Sequence, residues 1–232
     1  MLKSDLILRS PAKKTIGAEN ITNGQFGAVL SRAGVGKTGF LVQIALTRLL
    51  CDEKVLHISL CDTIEKITIR YNEGYTSLVD SIGYVDAQIA ERLWDEIQHH
   101  KTGIAYNNES TFTVNKIRDY LDSFKGADIT LPTLMIIDGL DFDTDLSDTL
   151  SDLKQLQQDF GLCTWFSMKS HREEPLNQNG YPIQLEKYDM LFDRAVFLVP
   201  EENKTQAIVL KDGDRTDQKF LLDPASLMPV EE

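Results

Sequence analysis

The sequence lacks several features that would place it in other classes of protein. It contains no apolar run of the roughly 18 residues that a transmembrane helix needs, so membrane insertion is not expected. Its three cysteines, Cys51, Cys61 and Cys163, are far apart and form no CxxC pair. That spacing argues against a zinc site or a disulfide framework and favours a reducing, cytoplasmic environment. The opening stretch MLKSDLILRSPAKK has too short an apolar segment for a signal peptide.

Positive charge is also scarce. The chain has 24 Lys and Arg against 36 Asp and Glu, a formal net charge of -12. Overall charge therefore does not attract this chain to nucleic acid, although a local basic patch is compatible with it. No cluster of aromatic and basic side chains marks a channel for a single strand. Nucleic-acid binding stays open at this level.

The order of elements predicts one α/β domain over residues 1–232, with residues 1–23 as a polar lead-in. Strands alternate with helices early in the chain, and short strands follow one another late. This order favours a mostly parallel central sheet flanked by helices, with a C-terminal antiparallel extension. Predicted strands cover 25–31, 54–60, 102–107, 132–138, 162–168, 194–199, 206–211 and 219–223, and predicted helices cover 39–50, 63–74, 85–100, 113–124 and 144–161.

What is present is a phosphate-binding pattern. The segment SRAGVGKT, Ser31 to Thr38, lies between a predicted strand and a predicted helix, and its second half fits GxxxxGK[ST]. Glycine lets the backbone pass close to a phosphate, lysine reaches the β- and γ-phosphates, and the threonine hydroxyl holds Mg²⁺. A serine stands at the first glycine position, where a small residue at a strand end is acceptable. The predicted nucleotide-binding residues are Ser31, Arg32, Ala33, Gly34, Val35, Gly36, Lys37, Thr38 and Gly39.

A second acid must complete a magnesium site. Asp138 ends the apolar run LMIID, which is typical of a central parallel strand. We therefore predict Thr38 and Asp138 as the metal ligands. An ordinary acid at a strand end is the alternative interpretation of Asp138. Asp141 and Asp143 follow closely and are interpreted as helix-capping residues, with a supporting role at the metal site as the alternative.

At this point the sequence resembles a known family. SRAGVGKTGFLVQIAL resembles the Walker A segment of RecA-like P-loop ATPases, above all the motor domain of bacterial replicative helicases and the KaiC-type ATPases. VLHISLCDTIEKITIRYN and TGIAYNNESTFTVNKIRDYL resemble later strand–helix segments, LMIIDGLD matches Walker B, and FLVPEENKTQAIVLKDGD resembles the late β-hairpin. The resemblance covers residues 25–223. It implies a RecA-like fold, ATP with Mg²⁺, and a homo-oligomeric ring or filament.

The chain departs from that family at the position of the catalytic base. The family's second strand ends in a glutamate that activates water, whereas Cys61 stands there in this sequence. A thiol with an ordinary pKa of about 8.5 is a poor general base. Asp62 is the adjacent candidate, but successive residues of an extended segment point to opposite sides. Asp62 would therefore need a turn or bulge to face the phosphates.

Two further positions differ. The strand that follows Walker B places Met168 where the family has a polar γ-phosphate sensor, with Ser167 or Lys169 as alternatives if the register is off by one. On the late hairpin, Lys211 matches the lysine of the family's Lys-x-Arg pair, and Arg215 is a displaced candidate for the arginine. A solvated turn, KDGDRT, is the alternative interpretation of the hairpin. The candidate catalytic residues are Asp62, Lys211 and Arg215.

These residues lead to three hypotheses of function. The first is an ATP-binding regulatory or assembly protein with slow or absent hydrolysis, with a protein partner as an option. The second is an active DNA-linked motor ATPase of the replicative-helicase type. The third is a small-molecule P-loop kinase, although the segment 170–187 offers only Arg172 as the arginine of a lid.

Overall fold

The computed structural model describes residues 2–106, 111–178 and 180–230, apart from the side chains of Asn20, Arg215 and Asp217. The strands are β1 Phe26–Ser31, β2 Val55–Ser59, β3 Lys101–Ala105, β4 Leu134–Asp138, β5 Cys163–Lys169, β6 Arg194–Glu201, β7 Lys204–Asp212 and β8 Asp214–Leu222. The α-helices are α1 Leu2–Arg9, α2 Pro11–Ile16, α3 Lys37–Leu50, α4 Ile64–Asp80, α5 Ala87–Gln98, α6 Val114–Gly126, α7 Ser147–Phe160 and α8 Ile183–Glu186. Short 3₁₀-helices cover Ala18–Asn20 and Asp189–Leu191.

The strands form one sheet in the order β3-β2-β4-β5-β1-β6-β7-β8. Neighbouring strands from β3 to β6 are parallel, and β6, β7 and β8 are antiparallel. The predicted fold class, a mostly parallel α/β sheet with a C-terminal antiparallel extension, is confirmed. In this order β5 lies between β4 and β1, so the carboxyl ends of these three strands meet at one edge of the sheet.

Each face of the sheet carries its own apolar core, because successive residues of a strand point to opposite faces. We call the face that contains Val29, Ile136 and Trp165 the α3 face, since their cluster includes α3. The opposite face contains Met135, Phe166 and the apolar side of α7. Helix α3 is buried from Phe40 to Leu50. This agrees with its apolar sequence and fits a helix enclosed between the sheet and other helices.

The first 23 residues differ from the predicted polar lead-in, since they contain α1, α2 and a 3₁₀-helix. Leu6, Ala12 and Ile16 belong to the core of the α3 face. A buried hydrogen bond of 2.6 Å joins the hydroxyls of Ser10 and Thr47. These helices are too short for a clear apolar period. The one available local signal was Ser10 before Pro11, which starts α2 as its N-cap.

Other boundaries follow the predicted pattern closely. Helix α7 ends at Gly161, which has a φ of 66° as a left-handed C-cap. Its start lies a little later than predicted, at Ser147, and the Asp145 carboxylate accepts hydrogen bonds from the Ser147 N–H and hydroxyl. Among the described residues, no helix combines the length and hydropathy that a membrane crossing requires.

The packing of β1 against β5 yields a stability prediction. A Cβ atom at Gly27 would lie 2.2 Å from Cε2 of Trp165, whose side chain is fully buried. We expect Gly27→Ala to lower the free energy of unfolding by about 1–3 kcal/mol, because the indole cannot move away without distorting the core. Chemical denaturation measures the change.

The matched control is Gly126→Ala, at the exposed end of α6, where an added Cβ meets nothing within 4 Å. It should leave stability unchanged or raise it slightly, because alanine is the better helix former. Equal stability of the two variants would contradict the packing of Trp165 on Gly27.

Candidate functional site

The phosphate-binding pattern forms a loop between β1, which ends at Ser31, and α3, which begins at Lys37. Gly34 has a φ of 79° and Gly36 a φ of 115°, values that residues with a side chain rarely adopt. Gly36 caps α3 without a side-chain hydrogen bond. The first N–H groups of a helix have no partner within the helix, and the helix dipole adds positive potential there. The start of α3 is therefore suited to an anion.

Lys37 folds back over this loop. Its Nζ donates to the backbone oxygens of Ser31 and Arg32, each at 3.1 Å, and lies 3.4 Å from Ser31 Oγ. Burial lowers the pKa of Lys37, and the Asp138 carboxylate partly offsets that effect. The ammonium group thus lies inside the turn of the loop, where a phosphate would replace backbone oxygens as its partner.

The two predicted metal ligands are brought together. Thr38 Oγ1 donates to Asp138 Oδ2 at 2.7 Å, although the residues are 100 positions apart in the chain. Asp138 ends β4 and is 2% exposed. A hydroxyl and a carboxylate oxygen at this spacing fit the oxygen ligands that Mg²⁺ prefers. The described residues contain no group of three His, Cys, Asp or Glu side chains suited to a metal. Phosphate and water oxygens would therefore have to complete the coordination.

Cys61 lies beside this pair. Its Sγ is 3.9 Å from the Asp138 carbonyl oxygen, and an added Cβ at Gly139 would lie 3.0 Å from the same sulfur. Although part of the residue is exposed, the sulfur packs against these two residues. Burial, followed by the negative charge of Asp138, raises the pKa of the Cys61 thiol to about 11. At neutral pH the group is therefore a protonated thiol.

Asp62 is positioned by the turn that follows β2. The Ser59 hydroxyl accepts hydrogen bonds from the Asp62 N–H at 2.9 Å and the Cys61 N–H at 3.4 Å. This turn supplies the change of direction that the sequence required. The Asp62 carboxylate, however, pairs with Lys66 Nζ at 3.2 Å on the first turn of α4. Its assignment as the catalytic base stays a prediction.

The carboxyl end of β5 shows which residue faces the loop. Met168 is fully buried in the core of the opposite face. Ser167 and Lys169 alternate with it and so lie on the α3 face. Ser167 Oγ accepts a hydrogen bond from the Gly139 N–H at 2.9 Å. Met168 therefore does not face the phosphate loop, and its two neighbours do.

Lys211 and Arg215 lie at the other edge of the sheet. Lys211 is opposite Ala195 at the beginning of β6, and Arg215 is its register partner on β8. Because β6 runs parallel to β1, this end is remote from the loop that follows β1. Lys211 Nζ donates to the backbone and side-chain oxygens of Asp189 at 2.9 and 3.1 Å. The side chain of Arg215 lies outside the described part. Contact of either residue with a nucleotide requires a second copy of the chain and stays a prediction.

The neighbouring loops form a polar network that the sequence did not reveal. His171 Nε2 lies 2.6 Å from Asp143 Oδ2, and Gln184 Nε2 donates to Asp143 at 3.0 Å and to Glu174 at 2.8 Å. Burial raises the pKa of Asp143, but hydrogen bonds from Gln184 and His171 outweigh it, so the pKa lies below its usual value. The network lines a cleft of about 400 Å³ that reaches Arg32 of the loop. Asp143 thus connects loops rather than capping α7.

Leu227 is a second residue that sequence reasoning missed. It has a φ of 58°, and its side chain packs against the loop and the first turn of α3. An added Cβ at Gly36 or Gly39 would lie 3.2 or 2.9 Å from its methyl carbons. The segment that follows β8 thus supports the outer side of the phosphate loop. No local pattern could reveal this contact, because it depends on the tertiary path of the chain.

Comparisons with known proteins agree with the fold. No protein-family model and no curated protein matches the sequence. A solved structure of the ATPase domain of a replicative helicase is similar, with a TM-score of 0.67 and 16% sequence identity over 91% of this chain and 86% of that chain. It is one of 471 solved chains with significant similarity, so the likeness does not single out a function. At this identity it establishes the RecA-like α/β fold.

The position of Lys37 leads to a binding prediction. We expect Lys37→Ala to abolish detectable ATP binding in calorimetry, because it removes the ammonium group inside the loop. Lys219→Ala, an exposed lysine on the edge strand β8, is the control and should bind like the wild type. Unchanged affinity in Lys37→Ala would show that ATP does not bind at this loop.

The raised pKa of Cys61 leads to a prediction about its reactivity. A pKa of about 11 keeps the thiol protonated through the neutral range, and only the thiolate is alkylated. The iodoacetamide rate at Cys61, followed by peptide mass spectrometry, should therefore keep rising about tenfold per pH unit up to about pH 10. An unstructured peptide of the same sequence should level off near an ordinary thiol pKa. Levelling of both at the same pH would contradict the buried environment of the sulfur.

Proposed function

We propose that this chain is an ATP-binding regulatory or assembly protein whose ATP hydrolysis is slow or absent. The observation that carries the proposal is the Thr38–Asp138 pair beside Lys37, with Cys61 instead of a carboxylate next to it. The first part of this arrangement supports binding. The second part removes the group that would activate water.

ATP binding rests on three features of the same sheet edge. The glycine conformations and the uncapped start of α3 offer backbone N–H groups to a phosphate. Lys37 supplies positive charge within the turn. Thr38 and Asp138 are the residues that hold Mg²⁺ in this proposal, and the metal would neutralise charge on the β- and γ-phosphates.

Slow hydrolysis follows from the bases that the site lacks among its described residues. The Cys61 thiol is protonated at neutral pH and cannot accept a proton efficiently. Asp62 points its carboxylate towards Lys66. Asp138 is engaged by Thr38 and is reserved for the metal. Hydroxyls such as those of Ser59 and Ser167 orient backbone N–H groups but are not bases at this pH.

A regulatory role requires that ATP bind one arrangement of the loops better than another. Lys37 binds two carbonyl oxygens of its own loop, and a phosphate would compete with them. The Ser170 N–H donates to Ser31 O at 3.0 Å, which joins the end of β5 to the same loop. His171 continues this link to Asp143 in the loop after β4. Phosphate binding at Lys37 thus bears on loops that a partner can contact.

The second candidate is an active DNA-linked motor ATPase. Its support is the likeness in fold to the ATPase domain of a replicative helicase, together with the position of Lys211 at the opposite edge of the sheet. In a homo-oligomer, that edge of one copy would have to meet the phosphate loop of the next. The small-molecule kinase remains a weaker alternative, with Arg172 beside the cleft as its only supporting feature among the described residues.

Steady-state ATP turnover with and without single-stranded DNA, measured beside ATP binding, separates these candidates. The regulatory proposal expects tight binding and turnover far below about 1 s⁻¹, the lower end of the usual enzyme range, with no effect of DNA. DNA-stimulated turnover at or above that rate would favour the motor and overturn the regulatory proposal.

The role of position 61 is tested by Cys61→Glu. A glutamate there would place a carboxylate next to Asp138, and we expect single-turnover hydrolysis to rise about 10²-fold, the lower range for general-base catalysis. Cys61→Ser is the matched control and should give no gain, since it adds no base. If the glutamate variant binds ATP but hydrolyses it no faster, the missing base at this position is not what limits hydrolysis.

A further inference from the structure

We propose that Lys169 contacts the terminal phosphate of a bound nucleoside triphosphate, so that the site distinguishes triphosphate from diphosphate. This inference rests on the proposed nucleotide function and names a residue that selects the state of the nucleotide.

The sheet order places Lys169 beside both parts of the phosphate site. Strand β5 lies between β1, which leads into the loop, and β4, which ends in Asp138. Lys169 is the last residue of β5 and the register partner of Ser31, the last residue of β1. Adjacent strands lie about 4.8 Å apart. The backbone of Lys169 therefore adjoins the start of the loop on one side and the strand of Asp138 on the other.

Side-chain alternation sets the direction of Lys169. It is two residues after Ser167, whose hydroxyl binds the N–H of Gly139 directly after Asp138. Residues two apart in a strand share a face, so Lys169 leaves β5 on the α3 face. Its long stem can then carry the ammonium group over the carboxyl edge of the sheet. Met168 points into the opposite core and cannot do so.

The balance of charge favours an anion between the two lysines. The positive charge of Lys169 helps to lower the pKa of Lys37, after the larger effect of burial, while Asp138 opposes it. Asp138 is thus one carboxylate for two ammonium groups, and it already accepts the Thr38 hydroxyl. Within the described part of the chain, the Lys169 side chain makes no hydrogen bond or ion pair, and the residue is exposed. A phosphate group would supply the missing negative charge.

The γ-phosphate fits this position better than the α- or β-phosphate. In a phosphate loop the backbone N–H groups surround the β-phosphate, and the lysine of the loop bridges the β- and γ-phosphates. The terminal phosphate then lies towards the metal ligands and away from the helix. Lys169 stands between the loop and Asp138, on that side. A diphosphate would leave the ammonium group in water.

The test compares two ligands by calorimetry in the presence of Mg²⁺, namely ADP and an ATP analogue with a nitrogen bridging the β- and γ-phosphates. We expect Lys169→Met to weaken analogue binding by about tenfold or more, as for the loss of one hydrogen bond between charged groups. ADP affinity should change less than about threefold. Lys169→Arg should restore most of the preference for the analogue, and Lys219→Met should behave like the wild type. Unfolding midpoints establish that the variants are folded.

Equal weakening for both ligands in Lys169→Met, or no weakening for either, would overturn the role of Lys169 while leaving nucleotide binding intact. If the wild type binds neither ligand, the proposed function itself fails. A selective loss for the analogue that arginine reverses is the result that a merely structural lysine would not produce.

Discussion

The hydrogen bond between Thr38 and Asp138 expresses the constraint on which the site depends. Two residues 100 positions apart meet at 2.7 Å because β1 and β4 run parallel and end at the same edge of one sheet. The crossover from β1 through α3 aims the start of that helix at the same edge. Loop, lysine, hydroxyl and buried carboxylate therefore share one small region, and an error in strand order would separate them.

Alternation along the strands decides which residues join that region. On the α3 face it presents Ser59, Asp138, Ser167 and Lys169, while Met168 turns to the opposite core. The position where a base is expected holds a thiol that burial keeps protonated, and the neighbouring carboxylate turns to Lys66. The site is therefore well supplied with groups that hold a phosphate and poorly supplied with groups that activate water. This imbalance is the physical basis for proposing binding without rapid hydrolysis.

Much of this could be predicted from the sequence, because long apolar strands and amphipathic helices follow local patterns. The strand run LMIID and the helix stop at Gly161 are examples. The short helices α1 and α2 were missed, because six to eight residues do not define an apolar period. The side of Lys169 was ambiguous, because one residue of register reverses the face. The contact of Leu227 with Gly36 and the turn around Ser59 depend on tertiary structure and left no local signal.

The central claim, that ATP is held but not consumed, is tested most directly by the fate of one bound nucleotide. The protein in excess is mixed with labelled ATP and Mg²⁺, and the bound label is separated into ATP and ADP over time. The account predicts that the bound label remains ATP long after an ordinary enzyme, at about 1 s⁻¹ or faster, would have converted it. Conversion to ADP within the first few turnover times of such an enzyme would contradict it.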